Sequence, residues 1–133
     1  MITPVTDLSC MDYVRQVGQK QSIPGGGSVT ALVGALGASL GCMAASFTQG
    51  KPAFLQYDDR LVELIAQLEN QAAELMLQVD FDAKAVEELA QAWALSKTNP
   101  ARDAQIQAAT YAATKAPLAM FVDRKSGSAG MPR

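Results

Sequence analysis

The chain has no histidine among its 133 residues and only two cysteines, Cys10 and Cys42. The lack of histidine excludes the usual zinc sites and every triad built on an imidazole. No metal site is expected. The two cysteines stand far apart and form no CxxC pair, so there is neither a thiol redox motif nor a disulfide framework, and the reading leans to the cytoplasm. Net charge is −2, and the basic residues are scattered, with Arg124–Lys125 the one adjacent pair. A nucleic-acid partner is therefore not expected. The N-terminus, MITPVTDLSCMDYVRQVGQK, carries acids early and lacks the apolar run of a signal peptide. No stretch alternates apolar and polar residues for long enough to make a trustworthy strand.

Charge is also missing from Ser22 through Gln49. Three glycines, Gly25, Gly26 and Gly27, follow Pro24, and Ser28 then offers an N-cap for a helix to about Gln49. Gly34, Gly37, Ala38 and Gly41 put small residues on neighbouring turns, where another backbone can come close. About 22 helical residues reach roughly 33 Å, enough to cross a bilayer. The run is nevertheless rich in Gly, Ala, Ser and Thr, and no aromatic belt flanks it. We read it as a buried central helix and expect no membrane partner.

The remaining chain is helical by spacing. Asp7 or Ser9 caps a first helix whose apolar face carries Leu8, Met11, Val14 and Val17, with Tyr13. From Tyr57 to about Leu95, apolar residues recur every three or four positions: Leu61, Leu64 with Ile65, Leu68, Ala72, Leu75, Val79, Val86, Leu89 and Trp93. Tyr57 and Trp93 fit a core or an interface, and Cys42 fits the core. Asp80 and Asp82 interrupt the long pattern; at i and i+2 they point to different sides of a helix. Asn99 and Pro100 restart a fourth helix from Ala101 to about Leu118, with Pro117 expected to kink or end it. The expected organisation is all-α: one helical domain over residues 1–121 and a disordered Ser/Gly-rich tail over 122–133.

Glycines ahead of a helix expose backbone N–H groups to a carboxylate or phosphate, though the same pattern also serves a tight corner between helices. No GxxxxGK[ST] fits here, and Thr30 stands where a dinucleotide fingerprint needs its last glycine.

The stretch PGGGSVTALVGALGASLGCMAASFTQGK resembles the opening of the formiminotetrahydrofolate cyclodeaminase and methenyltetrahydrofolate cyclohydrolase family. The resemblance continues in Thr48-Gln49-Gly50-Lys51, in Asp80-Phe81-Asp82-Ala83-Lys84-Ala85-Val86 and in Ala113-Thr114-Lys115-Ala116-Pro117-Leu118. Val86 and Glu87 depart from the aromatic residue and asparagine usual there, and Ser46 from an asparagine. The later Ser-Asp-Ala-Gly-like segment of the family has no counterpart, so the chain reads as a C-terminally truncated member.

The resemblance implies an all-α antiparallel bundle of the cyclodeaminase type and a tetrahydrofolate substrate, with no cofactor beyond it. Cyclisation of 5-formiminotetrahydrofolate to 5,10-methenyltetrahydrofolate with loss of ammonia is the first expectation. Hydrolysis of the methenyl bridge is the second, and a non-catalytic binding or assembly module the third. Proton transfer at nitrogen calls for an acid/base, and without histidine a carboxylate is the natural group. Asp82 is the candidate catalytic residue. Gly25, Gly26, Gly27 and Ser28, with Asp80 and Lys51, are the candidate substrate-binding residues. The apolar surface exceeds what a chain this short can cover, so a homodimer or higher homo-oligomer is expected.

Overall fold

The computed structural model describes residues 4–127, with side chains to residue 115. All of its regular structure among these residues is helical. Two short 3-10 turns, Val5–Asp7 and Pro52–Tyr57, accompany four α-helices: α1 Cys10–Val17, α2 Gly26–Thr48, α3 Asp58–Ala94 and α4 Arg102–Gly127. The chain divides into two compact units, one holding residues up to Val29 and from Gln78 onward, the other Thr30–Leu77.

In the second unit, α2 and α3 form an antiparallel pair. A Cβ added to Gly34 would lie 3.1 Å from Leu75 Cδ1, and one added to Gly41 would lie 3.0 Å from Leu68 Cδ1. The glycines are seven residues apart, and so are the leucines, in the opposite order. Each leucine therefore sits over bare helix backbone, which brings the helix axes together. The Cys42 thiol points to the Ile65 carbonyl oxygen at 3.7 Å, on the same side of α2. Gly50 takes φ +73°, a left-handed conformation suited to glycine, and its N–H donates to Asp58 Oδ1 at 3.0 Å. That carboxylate joins the end of α2 to the start of α3.

In the first unit the core is mostly alanine. Val79, Ala83, Ala85, Ala92 and Ala109 are buried, as are Val5 and Tyr13. The turn from α3 to α4 is stitched by Asn99, whose side chain accepts from the Ala101 N–H at 2.9 Å. The Arg102 guanidinium donates back to the Leu95 carbonyl.

Several expectations are corrected. The apolar stripe foreseen for α1 is not its buried face: Met11, Val14 and Val17 are exposed, and Tyr13 alone is buried. Of the two caps expected for it, Asp7 and Ser9, Ser9 takes the position and accepts from the Asp12 N–H. Tyr57 and Trp93 are both exposed, so neither belongs to the core. Helix α2 is buried along one face only, through Ala31, Ala35 and Ala45, while Val33, Leu36, Leu40, Met43 and Phe47 stay outside. Small residues let the two helices approach, and the bulky residues are turned away by that approach. Helix α4 runs past Pro117 to Gly127 and so takes in the first part of the expected tail. A proline removes one backbone donor, which kinks a helix without ending it when strong helix formers such as Ala116, Leu118 and Ala119 flank it. Residues 128–133 of that tail lie outside the described residues.

The glycine contacts carry a direct test. Gly34→Ala should leave stability within ~1 kcal/mol of the parent, because a better helix propensity offsets a push on the flexible tip of Leu75. Gly34→Leu should cost about 2–3 kcal/mol in urea unfolding, because its added carbons have no space between the helices.

Candidate functional site

The first helical residue of α2 is Gly26, and the Gly25 carbonyl accepts the first helical hydrogen bond, from Val29 at 3.1 Å. Gly25 is therefore the capping position. It has no side chain with which to cap the first turn. Asp82 supplies one from the middle of α3. Its Oδ2 accepts from the Ser28 N–H at 2.8 Å, across 54 residues of sequence. Ser28 is thus not the N-cap expected from the sequence. It stands in the third helical position, and a remote carboxylate does what a capping side chain would do.

Gly27 makes this approach possible. A Cβ there would meet Asp82 head on, with Cγ 2.5 Å and Oδ2 2.9 Å away. No flexible tip is available to yield, because the obstructing group is the carboxylate itself. Gly25 is also close, with a hypothetical Cβ 3.6 Å from Asp82 Oδ2. Two of the three glycines thus lie directly against the acid. A negative group here also meets the favourable end of the helix dipole.

The Ser28 side chain is engaged separately. Its Oγ pairs with the Tyr13 hydroxyl at 3.1 Å. Ser28 is 0% exposed, Asp82 7% and Tyr13 8%. A closed polar cluster therefore joins α1, the start of α2 and the middle of α3. Sequence reasoning missed Tyr13, which it read as part of an apolar face. The signal it offered was a hydroxyl on an otherwise aliphatic stripe, which needs a partner once buried.

Asp80 does something else. Its Oδ1 accepts from the Thr6 N–H at 3.1 Å and its Oδ2 from the Thr6 hydroxyl at 2.5 Å. The two aspartates point to different elements, as their i, i+2 spacing requires. Neither lies at a helix break, since α3 is continuous through both. Lys51 is exposed and precedes the Pro52 turn, beyond the far end of a 23-residue helix from the glycines. Of the expected site residues, the structure brings together Gly25, Gly27, Ser28 and Asp82. Gly26 opens the same turn and is exposed, whereas Asp80 and Lys51 stand outside the cluster.

A hollow of about 450 Å³ lies between α3 and α4 and is lined by Glu88, Gln91, Leu95 and Gln105 among others. Its charged group is Glu88, and alanines form much of the rest. It carries no arrangement of paired acid and base.

The sequence profile of the formiminotransferase-cyclodeaminase family matches residues 9–126. The chain belongs to that family. It is 40% identical to the formimidoyltransferase-cyclodeaminase of Gallus gallus over 88 residues, which are 66% of this chain and 16% of that protein. It is 33% identical to the methenyltetrahydrofolate cyclohydrolase of Methylorubrum extorquens over 100 residues, 72% of this chain and 48% of that one. In structure it matches the formiminotetrahydrofolate cyclodeaminase of Thermotoga maritima with a TM-score of 0.75 and 25% identity, over 87% of this chain and 56% of that chain. The all-α fold of the cyclodeaminase kind is thereby established. The chain spans about a sixth of the length of its vertebrate relatives and about half of the other two. The residues matched by the family profile, 9–126, include the glycine corner and both aspartates.

Two substitutions test the cluster. Gly27→Ala should destabilise the chain by about 2–3 kcal/mol, since either the carboxylate or the helix start must move. Tyr13→Phe should cost ~1–2 kcal/mol by leaving the Ser28 hydroxyl buried and unpaired. Adding Ser28→Ala to Tyr13→Phe should then cost less than the two single losses combined, a coupling that a double-mutant cycle in urea reads directly.

Proposed function

We propose that the chain performs folate one-carbon chemistry of the cyclodeaminase type. The proposed reaction cyclises 5-formiminotetrahydrofolate to 5,10-methenyltetrahydrofolate and releases ammonia, which is lyase chemistry. One observation carries the reading: a buried carboxylate, Asp82, is held against the glycine-opened N-terminus of α2, within a family named for this activity. On this reading N10 of the folate attacks the carbon of the formimino group, which is protonated on its terminal nitrogen, and forms the new C–N bond as the C=N π electrons move to that nitrogen. Asp82 accepts the proton released from N10 and returns it to the departing nitrogen, which leaves as ammonia when its bond to the carbon breaks. The positive charge remains on the N5–C–N10 bridge of the product. A carboxylate with one oxygen anchored by a backbone N–H keeps lone pairs for this transfer and is held in one orientation while it occurs.

The exposed Gly26 and the half-buried Gly25 are the parts of the corner offered to substrate. Their N-terminal position on the helix suits an anionic or carbonyl edge of the folate. Ser28 is assigned a supporting role, because its N–H and its hydroxyl are both engaged inside the cluster. Asp80 and Lys51 are kept as secondary substrate contacts only. We place the protein in the cytoplasm, where its two free cysteines would remain reduced, and we read it as a homo-oligomer.

Hydrolysis of the methenyl bridge is the second reading. Its support is the likeness to a cyclohydrolase of which this chain covers nearly half. A non-catalytic module is the third, and its support is that Asp82 already serves as a cap. One assay separates the three. Purified protein is given 5-formiminotetrahydrofolate, and separately 5,10-methenyltetrahydrofolate, and the methenyl absorbance is followed, with Asp82→Asn alongside. The expected result is methenyl formation from the formimino substrate, falling at least ~100-fold in the variant. Loss of the methenyl band alone would favour the hydrolase. A helical protein that changes neither substrate would leave only the binding module.

A further inference from the structure

Asp82 is anchored on the first turn of α2. The first turn of a helix has no upstream carbonyls for its N–H groups, and it opens more readily than the turns behind it. Here Gly25, Gly26 and Gly27 lead into that turn, and glycine has the most backbone freedom to lose. None of the three has a side chain by which the fold could hold it. Ser28 is the first residue of the corner that has one, and its N–H donates to Asp82 Oδ2 at 2.8 Å. Whatever holds the Ser28 side chain therefore also fixes the place of the anchor.

That hold is the Tyr13 hydroxyl, 3.1 Å from Ser28 Oγ. Tyr13 stands on α1, a helix of eight residues, too short to be stable without tertiary contacts. Its place is set from α3. Thr6, in the turn ahead of α1, donates through its N–H and its hydroxyl to Asp80, and Val5 beside it is buried. Asp80 is two residues from Asp82 on one continuous helix. The contacts thus close a ring: from Asp82 to Ser28, to Tyr13, along α1 to Thr6, and back to α3 at Asp80. The helix that carries the carboxylate also fixes the brace that steadies its anchor.

We propose that Tyr13 is a positioning residue for Asp82, acting through Ser28; its effect on catalysis rests on the reading of Asp82 as the acid/base. Tyr13 and Ser28 are both buried, and the Tyr13 hydroxyl is engaged by Ser28 and not offered to substrate. Gly25 and Gly26, the parts of the corner that are offered, keep their own groups without it. Loss of the hydroxyl should therefore spare substrate affinity and slow the proton transfers, which demand a carboxylate held in one orientation.

The test measures methenyl formation from 5-formiminotetrahydrofolate by the full chain, at a temperature where circular dichroism shows parent and variants equally folded. Tyr13→Phe should lower kcat about ten-fold and leave KM within about two-fold. Ser28→Ala keeps the backbone N–H and removes the same contact from its other side. It should have the same effect, and it decides the question if Tyr13→Phe does not fold. The double variant should fall no further in kcat than either single, because the same contact is lost in all three. In Tyr13→Phe the Ser28 amide should exchange at least about ten-fold faster by NMR, while amides later in α2 keep the parent's rates. With an active parent, a Tyr13→Phe kcat within about two-fold of it overturns the proposal and leaves the folate reading standing, as does a loss that falls on KM. A parent without turnover overturns the folate reading instead, and the amide then decides. Selective loss of protection upholds the positioning of the anchor, and an unchanged Ser28 amide overturns it.

Discussion

The hydrogen bond from the Ser28 N–H to the Asp82 carboxylate is the contact on which the polar cluster of α1, α2 and α3 depends. A helix that starts on glycines has no capping side chain of its own, and its first N–H groups are costly if buried without partners. Asp82 meets that need, but only because Gly27 leaves room for it. The demand runs in both directions. A carboxylate 7% exposed also needs donors, and the helix N-terminus provides one. The Tyr13 hydroxyl then closes the cluster on Ser28 and brings α1 into it. Each of these groups would be a liability if any of the others were missing.

The same economy of small residues governs the packing between helices. Gly27, Gly34 and Gly41 recur every seven positions on α2, and Asp82, Leu75 and Leu68 every seven on α3. The first of these contacts holds a carboxylate and the other two hold leucines. A single geometric device, a bare stretch of backbone under a side chain, thus serves a polar purpose at one end of α2 and an apolar one further along. Within the formiminotransferase-cyclodeaminase family, the glycine-rich start of this helix therefore has a structural explanation that stands with or without a ligand. The proposed chemistry adds a second use for a group that the fold already positions.

Much of this was legible in the sequence and some was not, for identifiable reasons. Helix α3 emerged from its three-and-four spacing within a residue or so at each end, and the Asn99 turn from its capping chemistry. The divergence of Asp80 and Asp82 followed from helix geometry alone. The partner of each did not, because Thr6 and Ser28 lie 74 and 54 residues away and no local pattern reports so distant a contact. Periodicity finds a helix but does not say which face is buried. On α1 the aliphatic residues pointed outward and a tyrosine inward. On α2 the glycines and alanines took the interface and left Leu36, Leu40 and Phe47 outside. Close approach of two backbones outweighed the burial of larger side chains there.

Hydrogen exchange of the Ser28 amide, followed by NMR in the parent and in Asp82→Ala, addresses the central claim most directly. The first-turn N–H groups of a helix have no helical acceptor and exchange readily unless something else holds them. The Asp82 cap predicts a Ser28 amide that is strongly protected in the parent and loses that protection selectively in the variant, while the amides later in α2 stay slow. A Ser28 amide that exchanges as fast as an unstructured one in the parent, or that stays protected without Asp82, would contradict the account.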